Sequence, residues 1–169
     1  MRVVAINVGA NTNAPGFRGP VRPDGSFTFL PIPETEPVRE SVPSYGDLAG
    51  ALDADLPPDW AGDSTGNAAG LHDTPVHLDP TVAEYPRCSD YAYGDPHPVK
   101  AGPLGDLAAG DYVLFYATLR VTDREGAEAT TSSRGPDWRP PEWGAFVIGQ
   151  FRLATDPVTP AGKVSALSA

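Results

Sequence analysis

Apolar residues in this chain come in short bursts separated by polar and proline-rich stretches, with no sustained helical period. Val3–Ile6 is a brief apolar run that reads as a buried strand. Phe27–Leu30 alternates after Asp24-Gly25 and predicts a second strand beyond a tight turn. Pro31, Pro33 and Pro37 forbid a central strand from continuing, so residues 34–46 are expected to be extended or irregular. Tyr45–Leu52 fits a short helix ahead of Pro57-Pro58, and Leu104–Leu107 fits a turn of helix before Gly110. Tyr112–Leu119, launched by Gly110-Asp111, is the strongest strand signal in the chain. Gly144–Leu153 is the other strong one. A polar, proline-rich connection over 123–141 would let these two strands lie side by side and antiparallel.

These elements predict an α+β, β-rich fold: a compact mixed or antiparallel sheet, or a partly closed barrel, with few short helices. The chain holds 18 glycines and 20 prolines, which favours long loops and short strands over long helices. At 169 residues it has the length of one domain, expected over residues 1–153. Residues 53–75 are rich in Asp, Gly, Ala and Thr and read as a flexible insertion. Residues 154–169 lack apolar periodicity and read as a disordered or loosely packed tail.

Charge narrows the partners. The formal net charge is −10 at pH 7, and Lys100 and Lys163 are the only lysines. Abundant Asp with scarce Lys reads as a halophile's acidic surface, as in a haloarchaeal cytoplasm; an ordinary acidic protein from a GC-rich genome is the alternative. Such a charge repels nucleic acid, but high salt screens the repulsion and also removes the counterion-release gain of basic DNA-binding proteins. The balance tilts towards a small-molecule or single-base site. Cys88 is the single cysteine, so no intrachain disulfide forms, which fits a reducing compartment. No apolar run approaches a membrane span and no signal-peptide pattern opens the chain. The expectation is a cytoplasmic protein with no membrane partner.

Chemistry concentrates first in the N-terminal loop. Asn7, Asn11, Arg18, Arg22 and Asp24 follow the first strand, where Gly9 lets the backbone approach a ligand. Arginine's planar fork suits a phosphate or carboxylate, although pairing with the many surface carboxylates is the plainer role for both arginines. Glu34 is the best candidate for a functional carboxylate beside the acidic neighbours Glu36 and Glu40, against the alternative of a solvated cap. His72, His77, Cys88, Asp95 and His97 lie in one stretch, but no spacing marks a metal site, so none is assigned. His77 can serve as an acid, a base or a base-edge hydrogen-bond partner, with Asp95 near the same cleft; His72 and His97 read as surface residues. Tyr116 and Trp143 can stack on a base, packing being the ordinary alternative, while Phe115 belongs to the core. Arg134 and Arg139 beside Trp138 can form a lid or a plain surface loop. No Walker-type loop, GxGxxG, deaminase or catalytic-triad signature is present, and no motif names a cofactor.

Several of these pieces occur in a telling order. VVAINVGAN is followed by RGPVRPDGSFTFLPIPE, then by HLDP at His77–Pro80, YGD near Tyr93 and GDYVLFYATL from Gly110. In this the chain resembles the third family of nucleotide-modification-associated domains over roughly residues 1–153. The resemblance implies a role around nucleotide or nucleic-acid modification, without implying a reaction, and implies further elements that would make this chain a C-terminally shortened member. More loosely, the final strand pair resembles the closing hairpin of PUA-like barrels, which grip single bases. Three readings follow. The first is a nucleotide or DNA-base modification protein, whether or not it is catalytic. There Asp24, Glu34 and His77 supply acid–base groups, and Asn7, Asn11, Arg18, Arg22, Asp95 and Tyr116 bind the ligand. The second is a non-catalytic reader of modified or flipped bases. The third is a protein-interaction module using the proline-rich loops.

Overall fold

The structure is a computed structural model that describes residues 1–13, 15–34, 42–52, 72–94, 101–123, 127–128, 140 and 142–158. Residues 53–71 of the insertion expected over 53–75, the acidic pair Glu36 and Glu40, Asp95, His97, the loop residues Arg134, Trp138 and Arg139, and the tail beyond residue 158 lie outside them. The fold is α+β and β-rich. Its elements are strand β1 (Val3–Asn7), strand β2 (Pro20–Val21), helix α1 (Tyr45–Leu52), helix α2 (Ala101–Gly105), strand β3 (Tyr112–Asp123), strand β4 (Ala127–Glu128) and strand β5 (Trp143–Arg152). All strand pairing converges on β3: β1, β2, β4 and β5 each pair with it, and among the described residues the sheet does not close into a barrel. No helix of the described residues is long and apolar enough to cross a membrane.

The chain divides into two compact units. The first comprises Met1–Val8, Leu78–Tyr116 and Val147–Ala169. Here β1 runs parallel to the first half of β3, with Val3 opposite Tyr112 and Asn7 opposite Tyr116. Only Ile6 of β1 is fully buried and Val3 is half exposed, so the strand is less buried than its apolar run predicts. The reason is that β1 offers one face to the core, so its apolar run need not be buried throughout. The core gathers Val113, Phe115, Leu104, Leu107, Phe151 and Leu153. Phe115 meets Phe151 edge-on at 4.8 Å and Tyr93 at 5.4 Å, geometries that aromatic quadrupoles favour. At the start of β3, Gly110 takes a left-handed φ of 90° and Asp111 turns inward. The Asp111 carboxylate accepts the backbone N–H of Arg2 at 2.7 Å and of Ala108 at 3.0 Å. Those two donors hold its pKa below the usual carboxylate value. The Gly-Asp signal ahead of this strand is thus a structural latch. Reciprocal bonds between the backbones of Gly110 and Asp111 and that of Leu153 place the end of β5 antiparallel to the start of β3.

The second unit comprises Gly9–His77 and Ala117–Phe146. Its buried residues include Val21, Leu30, Tyr45, Leu48, Val76, Leu119 and Val121. Gly9 sits so close to β3 that a Cβ built on it would lie 2.5 Å from the Ala117 Cβ. Packing against β3 is therefore one physical reason for a glycine here. The turn after Arg22 forms as its Pro-Asp-Gly sequence predicts, with Arg22 N–H donating to Ser26 O at 2.8 Å and Gly25 at φ 88°. The strand expected at Phe27–Leu30 does not form. Its ladder stops at a single bridge between Val21 and Phe27. Thr28 N–H donates to Pro20 O, but Pro20 has no N–H to return the bond. Leu30 O is instead taken by Ala10 N–H at 2.7 Å, and Thr28 and Leu30 are buried while Phe27 faces solvent.

Candidate functional site

The site grows from a small ladder of extended segments in the second unit. Pro33 and Val76 face each other in an antiparallel bridge. Around them Glu34 N–H donates to Pro75 O and His77 N–H donates to Ile32 O, both at 2.9 Å. Pro33 occupies the one position in this register that needs no donor, which is how a Pro-Ile-Pro-Glu sequence can join a ladder. On its other edge the 74–77 segment meets the entry to α1, with Val76 N–H on Pro43 O and Tyr45 N–H on Thr74 O. That entry is fixed by a capping box: Asp47 N–H donates to Ser44 Oγ and Ser44 N–H donates to Asp47 Oδ2. Buried Tyr45 then donates its hydroxyl to Pro31 O at 2.6 Å, and burial pushes its phenol pKa up. Phe17 packs edge-on against the same ring at 5.7 Å.

Register decides which side chains meet. Glu34 lies opposite Pro75 and His77 is two residues further on, so Glu34 and His77 are diagonal neighbours on one face of the ladder. His77 Nδ1–H donates to Glu34 Oε2 at 2.9 Å. The two side chains are 16% and 7% exposed, so the bond is made largely out of water. Both residues carry further interactions. A carboxylate on Nδ1 fixes the ring's tautomer and orientation and directs its proton chemistry to Nε2. The two residues were separate suggestions from sequence, 43 positions apart; the fold makes them one unit.

The N-terminal loop forms a second cluster in the same unit. Asn11 closes a local turn: its backbone O accepts Gly16 N–H at 3.0 Å and its Oδ1 accepts Thr12 N–H at 2.7 Å. Arg18 donates from Nη2 to Thr12 Oγ1 at 3.2 Å, and its guanidinium carbon lies 4.3 Å above the centre of the Trp143 ring. Among the described residues its buried Nε has no hydrogen-bond partner. Among the described residues no carboxylate forms an ion pair with Arg18. Arg22 has its Nη2 3.4 Å from Thr28 Oγ1 and carries further contacts besides.

The remaining predicted positions divide. Asp24 is exposed and its Oδ1 accepts both the N–H and the hydroxyl of Ser26. These bonds, with Arg22 adding a smaller part, hold its pKa down, and its visible work is to shape the turn. Asn7 ends β1 opposite half-buried Tyr116 of β3, both in the first unit. Asp95 lies outside the described residues. His72 is exposed and bonds its neighbour Asp73 at 3.0 Å. Burial pushes the Cys88 thiol up, away from a reactive thiolate. Among the described residues no three His, Cys, Asp or Glu side chains group as a metal site. Thr12 and the pairing of Trp143 with Arg18 had no signal in sequence, since a contact across 125 positions leaves no local pattern.

A family model described as nucleotide modification associated domain 3 matches residues 2–167. No curated protein and no solved structure matches the chain.

Proposed function

The chain belongs to the family of nucleotide modification associated domain 3, and from that premise we propose that its second unit binds a nucleotide, or a base within nucleic acid, and acts on it through Glu34 and His77. The role associated with nucleotide modification comes with the family; the ligand and the acid–base assignment are the proposal. The observation that carries it is the sheltered hydrogen bond between His77 and Glu34. A carboxylate-oriented imidazole is suited to taking a proton from a ligand and returning it. Arg18 and Arg22 supply the positive charge for a phosphate, and Asn11 shapes the loop that carries Arg18. Asp24 supports the turn between Arg22 and Phe27.

The test is a melting-temperature screen of the purified protein in concentrated KCl. Deoxynucleotides, ribonucleotides, nucleotide sugars and single-stranded and duplex DNA are added in turn, and each ligand's mass is read afterwards. A ligand that binds only the folded state raises the melting temperature. The proposal expects such a shift, and expects any change in ligand mass to vanish in His77→Ala and Glu34→Gln. No shift with any nucleotide or DNA would overturn it.

A second reading draws on Trp143, which is half exposed beneath the Arg18 guanidinium. An exposed aromatic suits a non-catalytic reader of an unstacked base. That reading expects the same shift with the ligand's mass unchanged in the wild type.

A further inference from the structure

We infer that Arg18 and Trp143 together form a platform for one unstacked nucleotide, free or within a single strand, recognised by its phosphate and by the flat face of whichever base it carries. The inference rests on the nucleotide reading above and extends it to the class of ligand.

Three observations on this pair agree. The first concerns charge. This chain has 22 acidic residues against 12 Lys and Arg, so a carboxylate partner is the easy outcome for any arginine. Arg18 has none among the described residues. Its charge is balanced by no anion there, and a phosphate oxygen matches a guanidinium in both charge and geometry. The second concerns the hydrogen-bond count. Nη2 donates to Thr12 Oγ1, yet among the described residues the buried Nε has no partner. A buried donor left unpaired is rare enough in folded proteins to require an explanation, and a small shift of the guanidinium towards a bound anion supplies one. The third concerns the aromatic. Trp143 opens β5 and is 50% exposed even with a guanidinium 4.3 Å from its ring centre. An indole with a guanidinium over its ring and still open to solvent offers a base a stacking surface beside a cation.

The arrangement also says what is not selected. Every base presents a π face, so stacking on Trp143 tolerates base identity. Bases inside a duplex are already stacked and cannot reach such a surface. The platform therefore discriminates by the presence of a phosphate and by strandedness, and leaves identity or modification of the base to other groups such as His77 and Glu34.

Calorimetric titration of the full chain with thymidine, thymidine monophosphate, a short oligothymidylate and its duplex with oligodeoxyadenylate tests this. The monophosphate and the single strand are expected to bind, and thymidine and the duplex to bind about tenfold more weakly or worse, because the phosphate contact or the stacking surface is lost. Arg18→Ala is expected to bring the monophosphate down to the affinity of thymidine. Trp143→Ala is expected to weaken both ligands about tenfold while Trp143→Phe stays within about threefold of wild type, as a stacking role requires. Arg18→Lys and Trp143→Phe retain charge and bulk and stand in if an alanine variant fails to fold. A higher affinity for the monophosphate than for the strand names the free nucleotide as the ligand; the reverse order names single-stranded nucleic acid. Wild-type affinity for both ligands in Arg18→Ala and Trp143→Ala would overturn the inference while leaving the nucleotide reading intact. Binding of none of the four by the wild type would overturn this inference, and the wider nucleotide reading then falls only if the broader ligand screen is also blank.

Discussion

The two units of this chain are built on different principles. In the first, β1 lies in unbroken parallel register on β3, and Phe115, Phe151 and Tyr93 close an aromatic core above it. In the second, pairing is short, two residues each for β2 and β4 on β3 and otherwise single bridges, and beside it stand polar pairs: a His–Glu hydrogen bond and an arginine on an indole. Continuous pairing and apolar packing favour stability. Short, proline-interrupted segments let backbone direction change every few residues, which is what aiming unlike polar groups requires. The polar pairs to which we assign chemistry lie where the regular structure is thinnest.

That comparison can be broken or sharpened by substitution. The largest effect is expected in the first unit. Phe115 is 2% exposed and touches two aromatic rings, so Phe115→Ala should destabilise the fold by about 3–5 kcal/mol. Urea unfolding measures it, and a loss under about 1 kcal/mol would mean that the aromatic core is not what holds this unit. A smaller effect is expected at the start of the second unit. Gly9→Ala puts a methyl group against Ala117, and such overpacking should cost about 1–3 kcal/mol. Should it prove neutral or stabilising by the same unfolding assay, the close contact with β3 is not a constraint.

The smallest effect is expected at the Asp111 latch, and it depends on pH. Its folded pKa lies below the ordinary value of 3.8 because the Arg2 and Ala108 amides favour the ionised form. A depressed carboxylate contributes stability above its unfolded pKa and loses that contribution as pH falls through the folded value. Asp111→Asn should therefore lower the melting temperature at pH 7, and the gap to wild type should narrow as the pH drops below about 4. A gap that is constant with pH would show that shape, not charge, does the holding.

The sequence carried much of the first unit and only fragments of the second. Tyr112–Leu119 and Gly144–Leu153 were legible because aromatic and β-branched residues with a turn signal mark a strand wherever it lies. The helix at Tyr45–Leu52 was legible for similar local reasons, and Ser44 and Asp47 confirm its start. Phe27–Leu30 looked like a strand because its own alternation is good; the failure comes from Pro20, on the partner segment, where local pattern cannot see it. Glu34, His77 and Arg18 stood out as residue types in an ordered set of motifs. Their partners did not, because the Glu34–His77 pair depends on register across the ladder and the Arg18–Trp143 stack on a contact far along the chain. The packing of Gly9 on β3 was not legible, because a glycine needed for packing and one needed for ligand approach look the same in sequence.

The claim at the centre of this account is that the second unit carries the ligand. Heteronuclear NMR of the protein titrated with thymidine monophosphate and with a short oligothymidylate addresses it residue by residue. The account predicts shifts at the Arg18 Nε–H and the Trp143 indole N–H with at least one of the two ligands, spreading to the His77 imidazole, while Phe115 and Phe151 stay where they are. Shifts confined to the Phe115–Phe151 core, with Arg18, Trp143 and His77 unmoved, would contradict it.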